Sequence, residues 1–86
     1  MLFSFKLDKP DNMKATFEKL QRKLADTGGK LTGNEKEGTI SAAGIEGRYT
    51  VETDAIKIMV TKKPSSVIPN KLIENRIKAI FREICD

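Results

Sequence analysis

Few side chains in this chain could carry out chemistry. Its 86 residues include no histidine and a single cysteine, Cys85. The lack of histidine removes the commonest general base and the commonest metal ligand. One cysteine cannot form an intrachain disulfide, and a thiol without an activating neighbour is a poor nucleophile. We therefore expect no enzyme activity and no bound metal, and we expect Cys85 to be a surface thiol on the polar side of the last helix.

Three short motifs could suggest ligand binding, and each has a simpler interpretation as a turn. The acidic segment Asn34-Glu35-Lys36-Glu37 contains a lysine and lacks the spaced aspartates of a calcium loop, so it predicts a hairpin tip. Gly28-Gly29 follows a helix pattern, whereas a phosphate-binding loop precedes its helix. Gly44-x-x-Gly47 has the letters of an RNA-binding GxxG loop, but its flanks are typical of strands. We expect no cofactor.

The net positive charge of the chain comes from its last 32 residues. The net charge is +4, and residues 55–86 carry seven Lys/Arg against three Asp/Glu, which accounts for the whole excess. One interpretation is a solvated basic helix that keeps a small protein soluble. The other is a surface for nucleic acid or another polyanion, although the exposed strand aromatics of RNA-binding sheets are not predicted. The candidate polyanion contacts are Lys62, Lys63, Lys71, Lys78 and Arg82.

The secondary-structure pattern is clearest in the middle of the chain. If Gly44-Ile45-Glu46-Gly47 is a hairpin with Ile45 and Glu46 in the turn, Ala42 lies opposite Tyr49. If Thr53-Asp54 is the next turn, Tyr49 lies opposite Ile58. Both hairpins then agree on which residues share a face, and a one-residue slip would invert every side chain.

This register gives the sheet one apolar and one polar face. Met59 is the apolar exception on the polar face, where it lies opposite Arg48, whose planar guanidinium could bind Glu52 of another copy. The predicted apolar face carries Ile40, Ala42, Tyr49, Val51, Ile56, Ile58 and Val60. The predicted polar face carries Thr39, Ser41, Arg48, Thr50, Glu52, Lys57, Met59 and Thr61, and the candidate interface residues are Arg48, Thr50, Lys57 and Met59.

Two amphipathic helices and two more strands complete the pattern. Phe3, Phe5 and Leu7 alternate with polar residues and predict a first strand. Residues 30–33 predict a short strand with Leu31 opposite Ile40, on the apolar face. Apolar residues at spacings of three and four predict two helices, each with one apolar stripe. The stripe of the first helix is Met13, Phe17, Leu20 and Leu24, and that of the second is Ile73, Ile77, Ile80 and Ile84.

The sequence thus predicts one α+β domain over residues 1–86. The order is strand, helix, four antiparallel strands, helix, arranged as a two-layer sandwich. Because each helix has one apolar stripe and the sheet has one apolar face, both helices are predicted to cover that face. The place of the first strand in the sheet stays open.

This order of motifs resembles that of a family of small bacterial proteins, the polyhydroxyalkanoic-acid system proteins. The similarity is carried by Gly44-Ile45-Glu46-Gly47, Tyr49 with Val51, and Asp54-Ala55-Ile56, followed by Ile73-Glu74 and Ile77 in the last helix. The resemblance implies a first amphipathic helix, a hairpin and a closing amphipathic helix. It supplies no catalytic residues. Residues 62–69 depart from the family pattern, which has a small-residue, Leu-Gly-rich segment there.

Three functions are compatible with these observations. The first is a non-enzymatic interaction module that binds an unknown protein partner or itself, as a homodimer. The second is a polyanion-binding domain that uses residues 62–82, and the third is a carrier of a small apolar ligand held between sheet and helices. The single cysteine, the absence of a signal-peptide pattern and the lack of a long apolar run predict a cytoplasmic protein without a membrane span.

Overall fold

The computed structural model describes residues 2–26 and 28–85, with side chains as far as Ile84. The thiol of Cys85, predicted above to be at the surface, lies outside the described residues. Seven elements follow one another along the chain: β1 (Phe3–Asp8), α1 (Met13–Asp26), β2 (Lys30–Gly33), β3 (Glu37–Ala42), β4 (Ile45–Val51), β5 (Ala55–Lys62) and α2 (Asn70–Cys85).

The five strands form one antiparallel sheet in the order β1-β5-β4-β3-β2. The first strand therefore pairs with the last one, and α1 connects the two edges of the sheet. Both helices contribute to a single core with the apolar side of the sheet. The predicted α+β sandwich with both helices on one face is confirmed.

Two of the predicted strand registers are confirmed. Tyr49 lies opposite Ile58 across β4 and β5, as the turn at Thr53-Asp54 requires. Leu31 lies opposite Ile40 across β2 and β3.

The predicted turn between β3 and β4 is wrong. Ala43 and Gly44 form the turn, so that Ala42 pairs with Ile45 and Gly38, not Ala42, pairs with Tyr49. Ala43 has a φ of 54° and Gly44 a φ of 82°. Positive φ at both central residues is typical of a type I′ hairpin turn, in which a β-branched Ile45 would be strained.

Gly47 has a different role from the one that the turn interpretation gave it. It lies at an irregularity between β4 and β5, where Gly47 pairs with Val60 and Glu46 with Lys62. A Cβ atom at Gly47 would lie 2.8 Å from the carbonyl oxygen of Met59. The glycine is therefore required by close approach of the backbones.

The error in the turn does not change which residues share a face. The true register differs from the predicted one by four residues, and side chains alternate with a period of two along a strand. Ile56, Ile58 and Val60 are 1%, 1% and 0% exposed on the helix-covered face.

Tyr49 anchors the covered face. Its side chain is 4% exposed and its ring packs 6.4 Å from that of Phe17. The hydroxyl donates a hydrogen bond of 2.5 Å to the carbonyl oxygen of Asn34. The ring crosses Gly38, where a Cβ atom would lie 2.6 Å from the Tyr49 hydroxyl oxygen. Burial raises the pKa of the Tyr49 phenol to about 12.

The two helices begin in different ways. Asn12 caps α1, because its Oδ1 accepts a hydrogen bond from the backbone N–H of Ala15 at 3.1 Å. The carbonyl oxygen of Pro69 accepts the first hydrogen bonds of α2, from Leu72 and Ile73. Leu72, in the first turn of α2, is 54% exposed. Neither described helix is long and apolar enough to cross a membrane.

Candidate functional site

The open face of the sheet, defined as the face opposite the two helices, holds the predicted interface residues together. Arg48 pairs with Met59 across β4 and β5, and Thr50 pairs with Lys57 in the next row. Arg48 and Thr50 are exposed, whereas Lys57 and Met59 are half-buried. The four residues therefore form one contiguous patch at the centre of the sheet.

A second lysine stands beside this patch. Lys6 on β1 is the direct partner of Lys57 on β5. Like charges directly opposite each other in a sheet are destabilising. Lys6 is neutralised by Glu52, with Nζ and Oε1 3.1 Å apart. Lys57 has no such partner among the described residues, so its charge remains available.

The arginine of the patch is unpaired as well. The neighbour of Arg48 on β3 is Thr39, and the described part of the chain places no carboxylate within ion-pair distance of Arg48. Glu37 lies opposite Thr50 on the same face, and it too has no ion-pair partner among the residues described. The predicted acceptor Glu52 is occupied by Lys6, which makes Glu37 the better candidate for a contact with Arg48 of another copy.

The five candidate polyanion contacts do not form one free basic surface. Lys63 is a structural residue, because its Nζ donates hydrogen bonds to the carbonyl oxygen of Ile68 at 2.8 Å and to Oδ1 of Asn70 at 2.9 Å. These contacts close the loop between β5 and α2. The Asn70 side chain, at the first residue of α2, thereby ties the start of the helix to the end of the loop.

Two further lysines share one carboxylate. Glu74 accepts from Lys78 at 2.7 Å and from Lys71 at 3.4 Å. The hydrogen bond from Lys78 is the main reason that the pKa of Glu74 is lowered. The Lys78 Nζ also lies 5.9 Å from the centre of the Phe5 ring. Both ammonium groups are therefore partly neutralised within the chain.

The last two candidates are more accessible. Lys62 lies 4.0 Å from Glu46, with 69% of its side chain exposed, and a pair of this kind contributes little. Arg82 is exposed on α2. The five candidate contacts thus divide into one structural lysine, two lysines held by Glu74, and two accessible cations.

One of the three predicted functions places a small apolar ligand between sheet and helices, but sequence reasoning identified no lining residues. The structure has an apolar cleft on this covered side of the molecule. Its volume is about 150 Å³, and it lies between α1, α2 and the β3–β4 hairpin. Arg76 of α2 lines it together with aliphatic residues. The sequence does indicate that Arg76 lies among apolar side chains. The residues three and four positions away from it, which are its neighbours on a helix surface, are Leu72, Ile73, Ala79 and Ile80.

Comparison of the chain with protein-family models, with curated proteins and with solved structures finds no match. The resemblance to polyhydroxyalkanoic-acid system proteins therefore stays a prediction from the residues that carry it.

Proposed function

We propose that this protein is a non-catalytic interaction module whose open sheet face binds a second copy of the same chain. The observation that carries the proposal is the central patch, in which Arg48 and Lys57 surround Met59 without a carboxylate partner among the described residues. The single cysteine and the absence of histidine support a cytoplasmic module without catalytic chemistry.

The charges of the open face favour self-association over an exclusively acidic partner. Arg48 and Lys57 are unpaired cations, while Glu37 and Asp8 lie on the same face without ion pairs among the described residues. A two-fold contact brings the same patch of both copies together. A face that carries unpaired charges of both signs can therefore complement itself, with Met59 as the apolar centre.

The size of the face indicates a weak dimer. Five strands about 4.8 Å apart, with a longest strand of eight residues at about 3.4 Å each, give a face of roughly 24 by 27 Å. Only part of such a twisted face can touch its copy, and a standard stable interface buries about 800 Å² on each side. The face also lacks an aromatic anchor. We expect dissociation in the micromolar range or weaker.

The test is sedimentation equilibrium over a concentration range that reaches high micromolar protein. Wild type should form a dimer, and the double variant Arg48→Glu with Met59→Asp should remain monomeric. The control is Arg82→Glu with Asn75→Asp on the outer side of α2, because it changes the net charge by the same amount at exposed positions. The control should dimerise like wild type.

Two results would overturn the proposal. One is a wild type that stays monomeric throughout the range, and the other is a dimer that the Arg48/Met59 change leaves intact. A third result would support polyanion binding through residues 62–82 instead. In that case nucleic acid would co-purify with wild type and with the Arg48/Met59 variant, but not with the Arg82/Asn75 variant, and nuclease treatment would remove it.

A further inference from the structure

The apolar cleft under the helices lies on the opposite side of the sheet from the proposed dimer contact. Its most buried lining residues are Leu20, Leu24 and Phe81, which are 5%, 3% and 8% exposed. Half-buried isoleucines of β4 and α2 form its walls. The cleft is therefore open at the surface and apolar in its depth.

We propose that this cleft binds a small carboxylic acid with an apolar body of about six carbons, and that Arg76 binds its carboxylate. The volume sets the size of the apolar body. Cavities of about 150 Å³ with leucine, isoleucine and phenylalanine walls bind benzene. The cleft has that volume and those wall residues, so it accommodates a phenyl ring or a short alkyl chain.

Arg76 sets the charge of the ligand. Among the described residues it is the one charged side chain that lines the cleft, and no described carboxylate lies within ion-pair distance of it. Lys71 and Lys78 on the same helix differ from Arg76 in this respect, because both of them form ion pairs with Glu74. The planar guanidinium offers paired N–H donors that match the two oxygens of a carboxylate.

A purely structural interpretation of Arg76 makes a different prediction. The stem of an arginine can cover apolar surface while its head stays in water. In that case Arg76 would contribute packing but would not discriminate between a carboxylate and a neutral group. Ligands that differ only in the head group therefore separate the two interpretations.

The experiment is an NMR titration of the isotopically labelled protein with phenylacetate, 2-phenylethanol and 2-phenylethylamine. Phenylacetate should cause saturable shifts at Ile45, Ile77 and Ile80. It should bind up to about fivefold more tightly than the alcohol, which is the range for an ion pair at an exposed arginine such as Arg76. The amine should bind most weakly, and raised salt should reduce the preference for the acid.

Two variants locate the site. Arg76→Gln should abolish the preference for phenylacetate while leaving binding of the alcohol within about twofold of wild type. Arg82→Gln, the matched change at the other arginine of α2, should keep the preference. Ile80→Phe fills the cleft with added apolar volume and should weaken all three ligands, and circular dichroism confirms that each variant folds.

The proposal is overturned if wild type binds the acid and the alcohol equally, or if the shifts fall outside the cleft. It is also overturned if Ile45, Ile77 and Ile80 shift on dilution of the protein alone, because a second copy would then occupy the cleft. Failure of this site leaves the proposed dimer contact untouched, since none of the residues that line the cleft belongs to the Arg48, Thr50, Lys57 and Met59 patch.

Discussion

The two faces of the sheet are built from the same strands and have opposite properties. On β5, Ile56, Ile58 and Val60 are almost completely buried under the helices, while the residues between them, Lys57 and Met59, are half-buried on the open face. Alternation along one strand thus gives a core and a candidate interface at the same time. Residues adjacent in sequence therefore have different effects when they are changed.

The faces differ as much in polar contacts as in burial. Tyr49, the polar side chain at the centre of the covered face, donates its hydroxyl hydrogen bond to Asn34. Arg48, its neighbour in sequence, points to the open face and has no carboxylate partner among the described residues. Folding satisfies the polar atoms that it buries, whereas the open face keeps charges that a partner can use.

The sharpest test of this contrast uses two adjacent residues of β4. Tyr49→Ala should lower the free energy of unfolding by about 3–5 kcal/mol, because it empties a buried aromatic site. Thr50→Ala, on the open face, should cost less than about 1 kcal/mol. Urea denaturation at a protein concentration below any dimerisation measures both, and equal losses for the two variants would contradict the assignment of the faces.

The second test uses the raised pKa of Tyr49. The phenol has a pKa of about 12 in the folded protein and 10.0 when unfolded, because the folded state favours its neutral form. The resulting contribution to the free energy of unfolding is fully present below pH 10. That contribution, up to about 2–3 kcal/mol, is lost as the pH rises from 10 through 12. Tyr49→Phe should remove this part of the pH dependence. Because Tyr49 is the single tyrosine, phenolate absorbance follows it directly, and a midpoint near 10 would show that the ring is exposed.

The third test concerns the loop between β5 and α2, where two neighbouring lysines differ. Lys63→Gln loses the hydrogen bonds to Ile68 and Asn70 and should cost about 1 kcal/mol. Lys62→Gln should change stability by less than about 0.5 kcal/mol, because its ion pair with Glu46 is long and exposed. Thermal denaturation compares them, and a larger loss for Lys62 would reverse the roles assigned here.

The smallest expected effect is on Glu74. Its lowered pKa means that its ion pairs stabilise the fold above the ordinary carboxyl pKa of 4.5, and that this contribution is lost as the pH falls through the lowered value. Lys78→Gln should raise the pKa of Glu74 more than Lys71→Gln does, because the Lys78 hydrogen bond is the main cause of the shift. An NMR titration of the Glu74 side chain measures both variants, and equal shifts would contradict the geometry.

Most of the fold follows from patterns that lie within a few residues of one another. The alternation at Tyr49, Thr50 and Val51 assigns residues to faces, and the helical stripes at Ile73 and Ile77 orient α2. The face assignments are correct although the predicted β3–β4 register is wrong by four residues. A slip by an even number of residues leaves every side chain on its own face.

The features that could not be predicted depend on contacts between residues that are distant in sequence. The pairing of β1 with β5 brings Lys6 beside Lys57 and Glu52, and packing of α2 near the β3–β4 hairpin places Arg76 at an apolar cleft. The turn at Ala43 needs a positive φ that alanine does not favour by itself. The two faces could be predicted because the alternation of side chains along a strand is local. The strand pairing, the cleft and the ion pairs could not be predicted, because they arise from contacts that exist only once the chain has folded.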